Sequence, residues 1–115
     1  MAVSTRAAGP VTIIDVSGDL KLDEGAGQLR EKVRKLLDND QKRLLVNVAG
    51  VGFVDSAGLG ELVQAYATAT RQGGTLKLTN PTKRLRDLLV ITKLSTVFEM
   101  FDNEPAALAS FAASA

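Results

Sequence analysis

The chain has 115 residues, 45% apolar and 23% charged, with three prolines. This is a globular composition of the size of one domain and not that of a disordered segment. Fourteen basic residues stand against 13 acidic ones, so no net field draws the chain to nucleic acid or to an anionic membrane surface. Cysteine and histidine are both absent, which excludes disulfides, zinc sites of the Cys/His kind, thiol nucleophiles and the commonest general base.

The opening stretch "MAVSTRAAGPVTII" has no long apolar run after Arg6, and nowhere do about 18 apolar residues follow one another. Neither a signal peptide nor a membrane span is expected, and a cytosolic location follows as the default. "VTIIDVSG" (11–18) is β-branched and closed by glycine, and "VSTR" before it reads as its hairpin partner across "AAGP". In "AGQLREKVRKLLDND", Ala26, Leu29, Val33, Leu36 and Leu37 fall at helical spacing, with Arg30, Glu31, Lys32, Arg34 and Lys35 on the other face. "RLLVNVAG" (43–50) is almost continuously apolar, as a central strand covered on both faces would be.

A second helix begins near Ser56, burying Leu59, Leu62, Val63, Tyr66 and Thr70, and stops at Gly73-Gly74, where a left-handed turn is easy. "TLKLTN" (75–80) points Leu76 and Leu78 inward, and Asn80-Pro81-Thr82 turns into a helix with Leu85, Leu88 and Leu89 on one face. "TVFEMF" (96–101) reads as a last strand. "EPAALASFAA" reads as a last helix with Pro105 in its first turn and Leu108 and Phe111 as anchors. The order β(β)αβαβαβα predicts an α/β domain whose strands are mostly parallel after an initial antiparallel pair. Functional loops of such sheets gather at the carboxyl ends of strands, which is where "GFVDSAGLGELVQAYATATRQGG" (52–74) starts.

Ser56, in "VDSAG", admits four readings. As a nucleophile it lacks both the first glycine of a Gly-x-Ser-x-Gly elbow and a histidine to deprotonate it. A Ser-Lys pair would need a lysine in an apolar setting, and the sequence points to none. A phosphate cradle would need the Gly-x4-Gly-Lys-Ser/Thr pattern, and Asp55 sets a carboxylate where the phosphate would sit. A helix cap by Ser or Asp is the plainest reading, contributing about 1 kcal/mol. It leaves Gly58 and Gly60 unexplained, since a glycine in a helix costs up to about 1 kcal/mol relative to alanine. A helix start that must approach another protein closely would accept them. The fourth reading follows: a hydroxyl presented to a partner's active site, where a phosphoryl group would gain from the helix dipole.

The stretches "VTIIDVSGDL", "RLLVNVAGVGFVDSAGLGELVQAY" and "GGTLKLTNPTKRLRDLLVITKLSTVFEMF" together resemble the bacterial anti-sigma factor antagonists, small single-domain members of the STAS family. The most specific piece is "VDSAGLGEL", where that family carries Asp-Ser-Ser/Thr-Gly-Leu-Gly and its phosphoacceptor is the first serine, here Ser56. The resemblance implies a single STAS-type domain over 1–115, core about 10–112. Its mixed four- to five-stranded sheet would begin with an antiparallel pair and be packed by about four helices.

It also implies a non-enzymatic partner switch without cofactor or metal. The unmodified antagonist binds an anti-sigma factor with a GHKL-type ATPase fold and frees the sigma factor. Phosphorylation by that partner breaks the complex, and a PP2C-type phosphatase restores it. The expected docking surface is Lys21, Asp55, Ser56, Ala57, Gly58, Leu59 and Gly60, on a monomer or weak dimer with no nucleic-acid or membrane partner. Two positions depart from the family: Ala57 replaces the usual Ser or Thr, and Lys21 replaces the usual aspartate in a loop expected near the phosphoacceptor.

A scaffold or accessory STAS domain, stressosome-like or transporter-associated, is the other reading within the fold. An exposed apolar surface would favour it, whereas the helices read as two-faced. A small-ligand or nucleotide-binding domain lacks its phosphate-loop signature. Lys83, Arg84 and Arg86 are expected on a solvated face, and Asp19, Asp23 and Glu24 in an exposed loop without metal-site spacing.

Overall fold

A computed structural model describes residues 2–21 and 27–113. The strands are β1 (Ala2–Ala8), β2 (Val11–Ser17), β3 (Arg43–Gly50), β4 (Thr75–Thr79) and β5 (Met100–Phe101). They form one five-stranded sheet in the order β1-β2-β3-β4-β5. β1 and β2 are antiparallel, a hairpin turned at Gly9 (φ 61°), and every later pairing is parallel. The helices are α1 (Gln28–Asp38), α2 (Ser56–Arg71), α3 (Lys83–Ile91) and α4 (Glu104–Ala113), with a 3-10 turn at Leu94–Thr96.

The period of two along each strand divides the apolar residues between two layers. Ile14 and Val16, Leu44, Val46 and Val48, and Leu76 and Leu78 meet Leu29, Val33 and Leu37 of α1, Leu62, Ala65 and Ala69 of α2, and Leu85 and Leu89 of α3. Val11, Ile13 and Leu45 meet Ala107 and Phe111 of α4 on the opposite face. β3 is therefore covered on both sides, as its unbroken apolar run predicts, with Leu44, Leu45 and Val46 all fully buried.

Several expectations change on the structure. The buried stripe of α2 is Gly58, Leu59, Leu62, Ala65, Thr68 and Ala69; Val63 and Tyr66 are half-buried and Thr70 is exposed. Small residues let α2 lie close to α1 and the sheet, which turns its inner face one position away from the larger side chains. The last strand is two residues long, because Thr96 belongs to the 3-10 turn after Lys93 at φ 64°. The chain then drops Phe98 into the core edge-on to Tyr66, ring centroids 5.2 Å apart, and only Met100 and Phe101 pair with Leu78 and Thr79. Leu108 is half-buried, while Ala107 is the inward residue beside Phe111. Ala26, Asp23 and Glu24 lie outside the described residues.

Lys77 is the largest departure. It is 2% exposed on the α4 face of β4, contrary to the expectation that no lysine stands in an apolar setting. Its Nζ donates to Ser110 Oγ (3.0 Å), lies 3.4 Å from Glu99 Oε2 and sits over the ring of Phe111. The aliphatic stem fills the layer while the ammonium reaches polar partners at its edge. This layer is on the other side of the sheet from α2, so Lys77 forms no pair with Ser56.

Candidate functional site

β3 ends in a local irregularity that sets up everything after it. The β2–β3 register steps from Asp15↔Asn47 to Ser17↔Gly50, and a Cβ on Gly50 would lie 2.9 Å from Ser17 Cβ. Only glycine permits that approach. Beyond it the two segments stay side by side. Gly18 N donates to Gly50 O (2.9 Å), Leu20 N to Phe53 O (2.9 Å) and Asp55 N to Leu20 O (3.1 Å), with Leu20 paired to Val54 in parallel. The loop after β2 and the loop after β3 thus reach the start of α2 as a joined pair at the carboxyl edge of the sheet.

The capping alternative resolves onto Asp55. Its backbone is extended (φ −90°, ψ −179°) and its Oδ1 accepts from Gly58 N at 2.7 Å, the geometry of an N-cap carboxylate that also favours the positive helix end. Ser56 is consequently the first helical residue. It is exposed, and its hydroxyl has no hydrogen-bond partner among the described residues.

Gly58 requires a correction. A Cβ there would fall 2.0 Å from Leu20 O and 2.8 Å from Leu20 Cβ, so the residue is glycine because its own chain lies against it, not to admit a partner. Gly60 is different: a Cβ would meet nothing within 4 Å, and the position is exposed. Leu59 faces the core at 9% exposure. Of the seven docking residues named from sequence, Ser56 and Gly60 are exposed, Lys21, Asp55 and Ala57 half-exposed, and Gly58 and Leu59 buried.

Lys21 does lie beside the helix start, carried there by the Leu20–Val54 pairing. Its Nζ is 3.4 Å from Asp19 Oδ2 and 5.6 Å from the centroid of the Phe53 ring. Phe53, 39% exposed, is a member of this surface that sequence reasoning missed. Its signal was an aromatic residue three positions before the serine, in a loop that ends a parallel strand.

An open groove of about 460 Å³ adjoins the same loop, lined by Val54, Lys83, Arg84, Asp87, Leu88 and Ile91. Val90 and Ile91 are 57% and 78% exposed, so α3 is not two-faced as expected. The basic cluster is partly neutralised: Lys83 Nζ meets Asp87 Oδ2 at 2.8 Å and Arg86 pairs with Asp102. Among the described residues no group of three or more acidic side chains is arranged to hold a metal ion, and no helix is long and apolar enough to cross a membrane.

Fold and site together define a small α/β domain that presents a serine hydroxyl at a capped helix start on the carboxyl edge of its sheet. The family model described as "Mlab, STAS domain" matches residues 3–100, and the chain belongs to the STAS domain family. It is 32% identical over 87 residues to the anti-sigma-B factor antagonist of Bacillus subtilis (strain 168), covering 76% of this chain and 78% of that protein. The fold is similar to that of the Bacillus cell fate determinant SpoIIAA in its phosphorylated form. There the TM-score is 0.72 at 20% identity, over 96% of this chain and 99% of the other. It is similar too to that of a sulfate transporter family protein from Wolinella succinogenes, with TM-score 0.72 at 18% identity over 91% and 87% of the two chains.

Proposed function

We propose that this protein is an anti-sigma factor antagonist working as a phosphorylation-controlled switch, without catalysis of its own. The unmodified form binds an anti-sigma factor that is also a serine kinase with a GHKL-type ATPase fold, and so releases a sigma factor. The kinase transfers the γ-phosphoryl group of ATP to Ser56. The Oγ–P bond forms, the bond from the γ-phosphorus to the β,γ-bridging oxygen breaks, ADP leaves, and a base on the kinase takes the hydroxyl proton. A PP2C-type phosphatase hydrolyses the ester. The switch operates in the cytoplasm, through a single STAS domain.

The observation that carries this reading is the division of labour at the start of α2. Asp55 satisfies the cap through Gly58 N, so the exposed hydroxyl of Ser56 is left for a partner. The family, and a relative named for antagonism of an anti-sigma factor, support it. A phosphoryl group would sit beside the first-turn N–H groups without disturbing the core. It would also bring nearly two negative charges to a docking surface, where mismatched charge costs several kcal/mol. The test is calorimetric titration of the kinase with three forms of the protein. Native protein and Ser56→Ala should bind alike, and Ser56→Asp more than about a hundredfold more weakly, the equivalent of about 3 kcal/mol. Equal binding by all three would overturn the switch.

A second reading has its own observation. The exposed Val90 and Ile91 and the groove beside Val54 suit a domain held in a standing assembly, such as a stressosome-like scaffold or a transporter accessory, whose Ser56 is never modified. Co-purification in a stable complex that neither ATP nor Ser56→Asp dissolves would favour it.

A further inference from the structure

We propose that Lys21 is the internal counter-charge of phosphorylated Ser56, and that phosphorylation moves its ammonium from Asp19 and Phe53 to the phosphate. The inference rests on the phosphoacceptor reading of Ser56 and adds a mechanism within this chain. Lys21 belongs to the segment pinned against the helix start by the Leu20–Val54 pairing and by Asp55 N donating to Leu20 O. Lys21 directly follows Leu20 as Asp55 directly follows Val54, so its backbone stands near the start of the Ser56 helix. Gly58, whose lack of a Cβ leaves room for the Leu20 carbonyl, lets the two segments lie this close.

The present partners of Lys21 hold it loosely. The contact to Asp19 is 3.4 Å between side chains that are each 39% exposed, and exposed pairs of this kind are weak. The contact to Phe53 is a partly exposed cation–π arrangement at 5.6 Å. A phosphoserine dianion offers about twice the charge of a carboxylate and three acceptor oxygens. Among the described residues, Asp19 is the carboxylate paired with Lys21 and Asp55 the one next to Ser56. Once a phosphate is added, the ammonium gains most by leaving Asp19 and Phe53 for the phosphate. Phe53 then loses its cover, so the surface a partner meets changes in charge and in apolar exposure together.

The experiment installs phosphoserine at position 56 during translation, so no kinase is needed, and follows the phosphorus resonance against pH. The second ionisation of phosphoserine, ordinarily near about 6, should be held down by Lys21. Lys21→Met should raise its midpoint by a few tenths of a pH unit at low salt, and Lys21→Arg should restore it. The unmodified protein should show a ring-current shift of the Lys21 ε-methylene protons from Phe53, and phosphorylation should remove it.

Arg84, which lines the shallow space beneath Phe53 and Val54, is the control. An unchanged midpoint in Lys21→Met, a shift produced by Arg84→Met instead, or a persisting ring-current shift would each overturn the proposal. None of these results would touch the switch itself, which fails if the kinase does not modify Ser56 or does not distinguish its charged form.

Discussion

At the scale of single residues, two glycines in one helical turn have opposite reasons to be glycine. A Cβ on Gly58 collides with the Leu20 carbonyl, whereas one on Gly60 meets open space. Gly58→Ala should therefore destabilise by about 1–3 kcal/mol through overpacking, in spite of alanine's better helix propensity. Gly60→Ala should stabilise by up to about 1 kcal/mol. Urea unfolding of the two variants checks the pair, and a gain in Gly58→Ala would show that the Leu20 segment can retreat. Removing the cap with Asp55→Ala should cost about 1 kcal/mol. The sequence raised the glycine question, and propensity alone could not separate the two positions. The answer depends on a chain segment 38 positions away, brought there by parallel strand pairing.

At the scale of elements, α4 is the one helix among the described residues on the second face of the sheet, held by two polar devices. One is Lys77 under Ser110 and Phe111. Lys77→Met keeps the volume and should change stability by less than about 1.5 kcal/mol, while Lys77→Ala should cost about 2–5 kcal/mol through the cavity it leaves. The other joins three elements. Arg6 Nε of β1 donates to Asp15 Oδ2 of β2 at 2.7 Å, and Arg6 NH2 to Glu104 Oε1 of α4 at 2.5 Å.

Hydrogen bonding to Arg6 holds both carboxyls below their ordinary values of 3.8 and 4.5. A carboxyl lowered on folding stabilises the native state above its unfolded value, and that contribution fades as pH falls through the folded value. Native protein should therefore lose stability more steeply than Arg6→Met below about pH 5, a difference that denaturant titrations at stepped pH would reveal. Identical slopes would mean that the pairing is as weak as surface pairs often are. Helix positions were legible because their periodicity is local, whereas the last strand was not. The residues of "TVFEMF" satisfy β propensity, yet burial of Phe98 against Tyr66 takes the chain off the sheet until Met100.

At the scale of the whole molecule, sheet order, helix layers and site follow from one asymmetry. Among the described residues three helices pack on one face and one on the other, and parallel strands carry their loops to a common edge. The alternation of strands with helices made the α/β class and the antiparallel start readable from sequence, and the place of Ser56 after β3 with them, whereas the division of the helices between the two faces was not read there. Lys77 and the exposed end of α3 were hidden, because whether a lysine or an isoleucine is covered depends on which distant helix lies over it. Charge at position 56 should leave the fold intact. Ser56→Asp should melt at or slightly above the native temperature, gaining about 0.3–1 kcal/mol from the helix end, and a cooperative loss of structure would contradict a switch read only at the surface.

The central claim is most directly tested by intact-mass and fragment mass spectrometry of the protein after incubation with ATP and a GHKL-type anti-sigma kinase from the same genome, beside Ser56→Ala. The account predicts one added phosphate, located on Ser56 and absent from the variant. An unmodified protein in a demonstrable complex with a kinase active on another substrate, or a fully phosphorylated Ser56→Ala, would contradict it.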